Sequence, residues 1–365
     1  VLWAAIALAL VAASDLGLAW YDPAWRYQRQ ITIDHTKVAG GVDLANFPVL
    51  VNLAADANLA VKAQANGNDI LFTAADGTTK LAHEIESFSS GSGALVAWVR
   101  LPNLSASVDT VLYVYYGNPA APSQQNPTAV WDANYQGVWH LAENGTLARD
   151  STTNANDATS GVQPTRAAGQ IGNGQSFDGS TQFMGIPDAP SLDIPQNGTF
   201  SIWFKPDEIR QSDMFQKGVG FDINTARGGY TAWQDATNLQ WGPQYGAPAP
   251  TEWSKAPGVL AAGQWYRLDG VNSGGLNKLY LNGNLLAAST SPFSFVSNTT
   301  LQVGAGGDGF FKGTLDELRV SNVVRSDGWI LTEYNNQSSP GTFYALGPES
   351  GTTLFFFKKR EIEYP

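Results

Sequence analysis

Apolar and polar residues alternate in short runs along most of this chain. Before residue 127 the runs are R-Q-I-T-I-D, F-P-V-L-V-N-L, D-I-L-F-T, K-L-A-H-E-I-E-S-F, A-L-V-A-W-V-R-L and T-V-L-Y-V-Y-Y. Successive side chains of a strand point to opposite faces, so each run predicts a strand with one face buried. The phrases G-G, N-G-N, A-D-G, S-G-S-G and P-N separate the runs and predict turns. The stretch L-A-V-K-A-Q-A predicts one short helix. Residues 20–126 therefore predict a small β-sandwich. The segment P-A-A-P-S-Q-Q-N-P has no periodicity and predicts a linker or long surface connection. The same strand rhythm resumes over residues 130–347, with no sustained 3.6-residue period. The predicted fold class is all-β, as two tandem β-sandwiches.

The two ends depart from this pattern. Residues 1–19 open with V-L-W-A-A-I-A-L-A-L-V-A-A, which is too short to span a bilayer and fits the apolar region of a signal peptide. Gly17 and Ala19 are small residues suited to a cut before Trp20, and the competing reading is a buried N-terminal strand or helix. Cleavage there predicts a secreted, periplasmic or cell-surface protein. At the other end, residues 348–365 carry three consecutive Phe and a basic triplet. This tail reads equally as an edge strand, the start of a membrane anchor that would tether the protein, or foreign sequence.

Composition narrows the partners. The formal net charge is −11 and the pI about 4.7, so a phosphate backbone is repelled and nucleic acid is not expected. There is no cysteine, which removes thiol catalysis, disulfides and cysteine metal sites.

Several phrases carry a resemblance. D-S-T-T-N-A-N-D-A-T, G-Q-I-G-N-G-Q-S-F-D-G, F-S-I-W-F-K-P, G-Q-W-Y-R, K-L-Y-L-N-G and G-T-L-D-E-L-R-V-S-N occur in that order from Asp150. Their order and spacing resemble the laminin-G-like, concanavalin-A-like jelly roll. The resemblance implies a two-sheet sandwich that binds glycans and in some branches cuts them. W-R-Y-Q-R-Q-I-T-I-D, N-G-N-D-I-L-F-T, H-E-I-E-S-F, A-W-V-R-L-P and V-Y-Y-G-N resemble an uncharacterised bacterial and archaeal domain. That domain often precedes a laminin-G-like domain and also forms the exported front end of some MotA/TolQ/ExbB-type proton-channel proteins. The resemblance implies recognition of a glycan or cell-surface polysaccharide. The alternatives it leaves are a sensor or structural domain of such a channel assembly, or a glycan-degrading enzyme.

Hydrolysis needs two carboxyls about 5–10 Å apart. Jelly-roll glucanases supply them in the phrase E-x-D-x-x-E, which this chain lacks. In T-L-D-E-L-R-V, Asp316 and Glu317 are neighbours, so an unbroken strand puts them on opposite faces and predicts a structural role. Glu84 and Glu86 in H-E-I-E do share a face, as do Trp98 and Arg100 in A-W-V-R. Glu84, Glu86 and Trp98 are therefore candidate sugar ligands, although a solvated sheet face has the same pattern and is the expected case. His35, His83 and His140 lack a second ligand at a zinc-motif spacing. His83 is expected in a core and His140 in hydrogen bonds across the domain junction.

Two loops are rich in ligand types. Asp150, Asn154, Asn156 and Asp157, with Asp178 and Asp316 elsewhere, offer the oxygen atoms that a structural calcium takes. The same Asx-rich pattern also serves turns alone. From Tyr230 to Trp253 the rings Trp233, Trp241 and Tyr245 lie among Gly and Pro, with Gln234, Asp235, Asn238, Gln240 and Gln244 interleaved. Flat rings beside amides and carboxylates suit the apolar faces and hydroxyls of sugars, and packing into the core is the competing reading.

Overall fold

The computed structural model describes residues 20–218, 229–243, 254–290 and 296–352. The predicted leader and the tail beyond residue 352 lie outside the described residues. The architecture is all-β: 48% of the described residues lie in strands and 10% in helices. No helix among the described residues is long and apolar enough to cross a membrane.

The first sandwich packs a three-stranded sheet on a five-stranded one. The smaller sheet runs Leu44–Leu53, Ala94–Leu104, His83–Ser89, and the larger runs Tyr344–Gly351, Tyr27–Ile33, Thr110–Tyr116, Leu71–Ala74, Lys80–Leu81. Alternation dictates what each face does. Val49, Val51, Ala97 and Val99 enter the core between the sheets, while Leu50 and Trp98 leave it on the opposite face. That opposite face is not solvated. It packs on Val130, Trp131, Tyr135, Val138 and Ile171 from the junction and the second sandwich. The short helix is Ala57–Lys62, capped by the Asp56 side chain, and the predicted linker is irregular up to the turn Pro127–Val130.

The second sandwich is larger. One sheet is ordered Thr165–Ala168, Asn173–Asp178, Lys312–Ser321, Asn197–Pro206, Tyr266–Ser273, Leu276–Leu281, Asn284–Thr290, with Tyr135–Trp139 also paired to Lys312–Ser321. The other centres on Ser254–Pro257, Asn238–Pro243, Tyr230–Gln234, Ser212–Lys217, Leu301–Val303 and Phe183–Ile186. Its core holds Phe200, Phe204, Phe215, Tyr230, Leu239 and Trp241. Gly270 is required there, because a Cβ at that position would meet the Trp241 ring at 2.2 Å.

The closing segment differs from the expected domain boundary. Residues 130–347 were expected to form the second unit, yet Tyr344–Gly351 pairs with Tyr27–Ile33 and completes the first sandwich. The helix Asp327–Ser338, which no apolar periodicity announces, carries the chain back. The Ser326 side chain caps its start by accepting from Trp329 N, and Asp327 sits favourably in the first turn. It is wedged between the sandwiches. Trp329 joins the first core, whereas Ile330 packs with Val271 and Tyr280 of the second.

Candidate functional site

The second sheet of the second sandwich has one face on the core and one turned away from it. Tyr230, Ala232, Leu239 and Trp241 point inward, so Thr231, Trp233 and Gln240 point outward. Cross-strand pairing sets Asp213, Trp233, Gln240 and Lys255 in one outward row. The next row holds Gln302, Gln216 and Thr231. A bulge at Met214 keeps Asp213 on this face while Met214 and Phe215 fill the core. Trp233 is half-buried, and Phe183 and Phe310 add a half-buried pair of rings with centroids 6.4 Å apart.

Polar groups on this face are tightly ordered. Asp213 accepts from the Thr231 hydroxyl at 2.9 Å and from Asp308 N at 2.8 Å. Burial, reinforced by the nearby Asp308 charge, pushes the Asp213 carboxyl up to about 7. Gln240 donates to Asp235 at 2.8 Å, and Asp235 also accepts from Thr237 N and Asn238 N in a tight turn. Asp235 and Asn238 thus lie at the end of the outward face, beside Trp233. Gln234 instead points inward and donates to Glu208 O and to Ser212. Trp241 is a core residue with no exposed surface, which corrects its reading as a sugar platform. Tyr245 lies outside the described residues. Asp213, Gln216 and Thr231 were missed because a bulge and a distant strand bring them there.

The expected calcium ligands serve loops. Asp150 accepts from Val138 N, Thr152 N, Asn156 N and the Thr152 hydroxyl. Asp157 accepts from Asp150 N, and Asn154 donates to Gln136 O. Asp178 closes its own turn by accepting from Ser180 N, Thr181 N and Gln182 N. Asp316 is elsewhere, fully buried, and accepts from Ile171 N at 2.9 Å.

A second concentration of chemistry lies at the junction of the sandwiches. His83 and Ile85 face the first core, so Glu84 and Glu86 face the second sandwich. The expectation of a solvated face is overturned, because their side chains are 11% and 3% exposed. Trp98 is fully buried and is not a sugar platform either; its indole donates to Glu86 at 3.2 Å. Arg100 turns away and donates to Ala129 O. His140 sits against the Trp98 ring, bonded to Glu317 at 2.7 Å and 3.3 Å from Glu84, as its position at the junction predicts.

Asp316 and Glu317 do not alternate as an unbroken strand would require. Glu317 has φ +54°, and the strand gains one residue against its neighbour between the pairs Trp203–Asp316 and Ser201–Arg319. Both carboxyls consequently lie within electrostatic reach of Glu86 and His140. Arg319 donates to Glu317 at 2.7 Å and to Glu333 at 3.2 Å, and Arg267 ties Glu333 to Asp269. Burial opposes a charge on His140, but Glu317 and Glu84 outweigh it and hold the imidazole well above its usual range. Burial and the Glu317 charge push Glu86 up to about 8. Glu84 titrates lower despite burial, because His140, Ser151 and Trp131 stabilise its charge. A cavity of about 430 Å³ lined by Glu84, Glu86, His140, Glu143, Arg149 and Ser151 opens from this cluster.

Comparison with known proteins agrees with the two-part architecture. Residues 178–331 match the model of the Concanavalin A-like lectin/glucanases superfamily. Residues 66–141 match the domain of unknown function DUF2341. A concanavalin-A-like domain thus follows a domain of unknown function in tandem. No curated protein matches the sequence. Among solved structures, domain 4 of AbnA, a GH43 extracellular arabinanase from Geobacillus stearothermophilus in complex with arabinotriose, is 21% identical. The match covers 55% of this chain and 98% of that one, with a TM-score of 0.42. The binding domain of Paraclostridial Mosquitocidal Protein 1 is 11% identical over 55% of this chain and 52% of that one, TM-score 0.43. Trypanosoma rangeli sialidase in complex with the inhibitor DANA is 16% identical over 69% and 43%, TM-score 0.42. The chain therefore spans about half or less of the latter two.

Proposed function

We propose that the chain is a non-catalytic carbohydrate-recognition protein, and that the sugar lies on the outward face of the second sheet of the second sandwich. One observation carries this reading: Trp233, half-buried, stands between Asp213 and Gln240 in a single row turned away from the core. A pyranose or furanose offers an apolar C–H face and a rim of hydroxyls, so it takes a flat ring flanked by carboxylate and amide groups. Asp235 and Asn238, which are partly exposed, supply the polar rim, while Asp213, Gln240, Gln216 and Thr231 are buried and order the face beneath it. The superfamily matched by residues 178–331 includes lectins and glucanases, which is consistent with a sugar ligand.

The non-catalytic part rests on access. Both junction pairs that could act as two carboxyls are almost fully covered, although a cavity reaches Glu84 and Glu86. Glu86 is 3% exposed with its carboxylate held by Trp98, and Asp316 and Glu317 are fully buried. Glu84 accepts from Trp131 and Ser151 and Glu317 from Arg319, so these carboxyls are engaged within the fold rather than poised on either side of a scissile bond.

The test uses a glycan array followed by titration of the best ligand. Trp233→Ala is expected to weaken binding roughly ten- to hundredfold, about 1–3 kcal/mol, with little change in the melt. Trp241→Ala is expected to destabilise the fold by about 3–5 kcal/mol, because it empties a packed core site. Unchanged binding by Trp233→Ala refutes the location. Reducing-sugar release from the bound glycan refutes the non-catalytic reading.

A further inference from the structure

The junction cluster contains more negative charge than its side chains balance. Among the described residues, the buried cations that face Glu84, Glu86, Asp316, Glu317, Glu333 and Asp269 are His140, Arg319 and Arg267, with the exposed Arg149 at the cavity. An uncompensated buried charge costs several kcal/mol, so the excess must be met by protons or by a cation. Protons alone leave a second difficulty. A buried carboxylic acid still needs hydrogen-bond partners, yet Glu86 Oε1 and Asp316 Oδ1 have none. His140 Nε2 lies 3.3 Å from Glu84.

The geometry of the cluster suits an ion. One ligand atom from each of Glu86, His140 and Glu317 lies within 4.8 Å of the others. Ligands at about 2.0–2.2 Å from a zinc ion stand no more than about 4.4 Å apart, so a small contraction would close the group. Asp316, whose buried Oδ1 makes no hydrogen bond, adds a third carboxyl beside the group. Two of the described non-glycine residues with positive φ, Leu141 at +60° and Glu317 at +54°, adjoin or belong to this group. The cavity lined by Glu86 and His140 supplies an entry path.

We propose that Glu86, His140 and Glu317, with Asp316, bind one divalent transition cation, Zn²⁺ or Mn²⁺, that clips the two sandwiches together. The imidazole selects this class over Ca²⁺, which prefers an all-oxygen shell. The ligands come from both sides of the junction: Glu86 from the first sandwich, Glu317 and Asp316 from the second, and His140 from the connection. The site is separate from the proposed sugar face and does not depend on it.

The experiment uses the full chain, stripped with EDTA and titrated calorimetrically with ZnCl₂, MnCl₂ and CaCl₂. One equivalent of Zn²⁺ or Mn²⁺ is expected to bind at least about tenfold tighter than Ca²⁺ and to raise the melting temperature. Glu86→Gln and Asp316→Asn keep side-chain shape, and each is expected to weaken binding at least tenfold. The metal-free melt of Glu86→Gln is expected near the parent's, since Gln keeps the side-chain shape. The proposal is overturned by absent saturable Zn²⁺ or Mn²⁺ binding up to about 1 mM. It is equally overturned by preference for Ca²⁺ or by unaltered affinity in both variants.

Discussion

His83 has no exposed surface; it meets Phe72 edge-on with ring centroids 5.3 Å apart, and its Nδ1 lies 3.4 Å from Leu81 O. Burial pulls its pKa down to about 4 from the ordinary 6.5. The folded state therefore refuses a proton that the unfolded chain accepts between those values. The resulting stability is complete above about pH 6.5 and is lost as pH falls toward 4, by about 3 kcal/mol in total. His83→Leu is expected to abolish that part of the acid sensitivity, so the gap between variant and parent in urea melts should close or reverse from pH 7 to pH 4. A parallel pH profile for the two proteins would show that His83 is not the titrating group. The inward position of His83 was legible from its period-two partners Leu81 and Ile85. The fate of Trp241 was not, because a Gly- and Pro-rich segment conceals the parity that separates it from Trp233. Glu317 was misplaced for a related reason. Strict alternation sends it away from Asp316, but one left-handed residue in a bulge restores both carboxyls to the same neighbourhood.

Among the elements, the helix Asp327–Ser338 does the most to join the molecule. Its Asn336 side chain acts as a backbone mimic for the first sandwich, accepting from Leu50 N at 2.7 Å and donating to Leu50 O at 3.0 Å. Thr332 accepts from Ala39 N, and Asn335 donates to Lys37 O. On the other side Gln337 accepts from Trp203 and Arg267, and Glu333 accepts from Arg267. Asn336→Ala leaves a buried N–H and C=O of Leu50 without these partners. It is expected to cost about 2–4 kcal/mol in urea-melt stability, with the sugar face unaffected. A loss under about 0.5 kcal/mol would mean that water replaces the amide. The strands of both sandwiches were legible because each buries one face and so writes its pairing into period two. This helix was not, for a physical reason. It is buried on several sides by polar contacts, with Thr332, Glu333, Asn336 and Gln337 all inside, so it carries no apolar stripe for a 3.6-residue period to reveal. The junction chemistry was partly legible: His140 was expected in hydrogen bonds at the junction, whereas Glu84 and Glu86 were read as sugar ligands or a solvated face because Glu317, which meets the same His140, lies far along the chain.

For the whole molecule, the path of the backbone makes the two sandwiches interdependent. The chain leaves the first unit near Tyr116, builds the second, and returns through the helix to add Tyr344–Gly351 beside Tyr27–Ile33. That last strand covers what would otherwise be an edge of the five-stranded sheet. It also brings specific partners: the Tyr344 hydroxyl donates to Asn52 O and accepts from Asn52 N, and the Tyr116 hydroxyl donates to Glu349 at 2.6 Å. Glu349 pairs with Lys62 of the short helix as well. Folding of the first unit therefore waits on residues that follow the second, and the full chain is expected to unfold in a single calorimetric transition. Deleting residues 344–365 strips the ladder from Tyr27–Ile33 and leaves the buried Tyr116 hydroxyl without its acceptor. The shortened chain is expected to show two transitions, with the lower one belonging to the first sandwich. The second sandwich keeps its own closed pair of sheets and should melt near the parent temperature. If the shortened chain instead retains one transition within about 2 °C of the parent, the returning strand is an accessory to a first sandwich that stands without it.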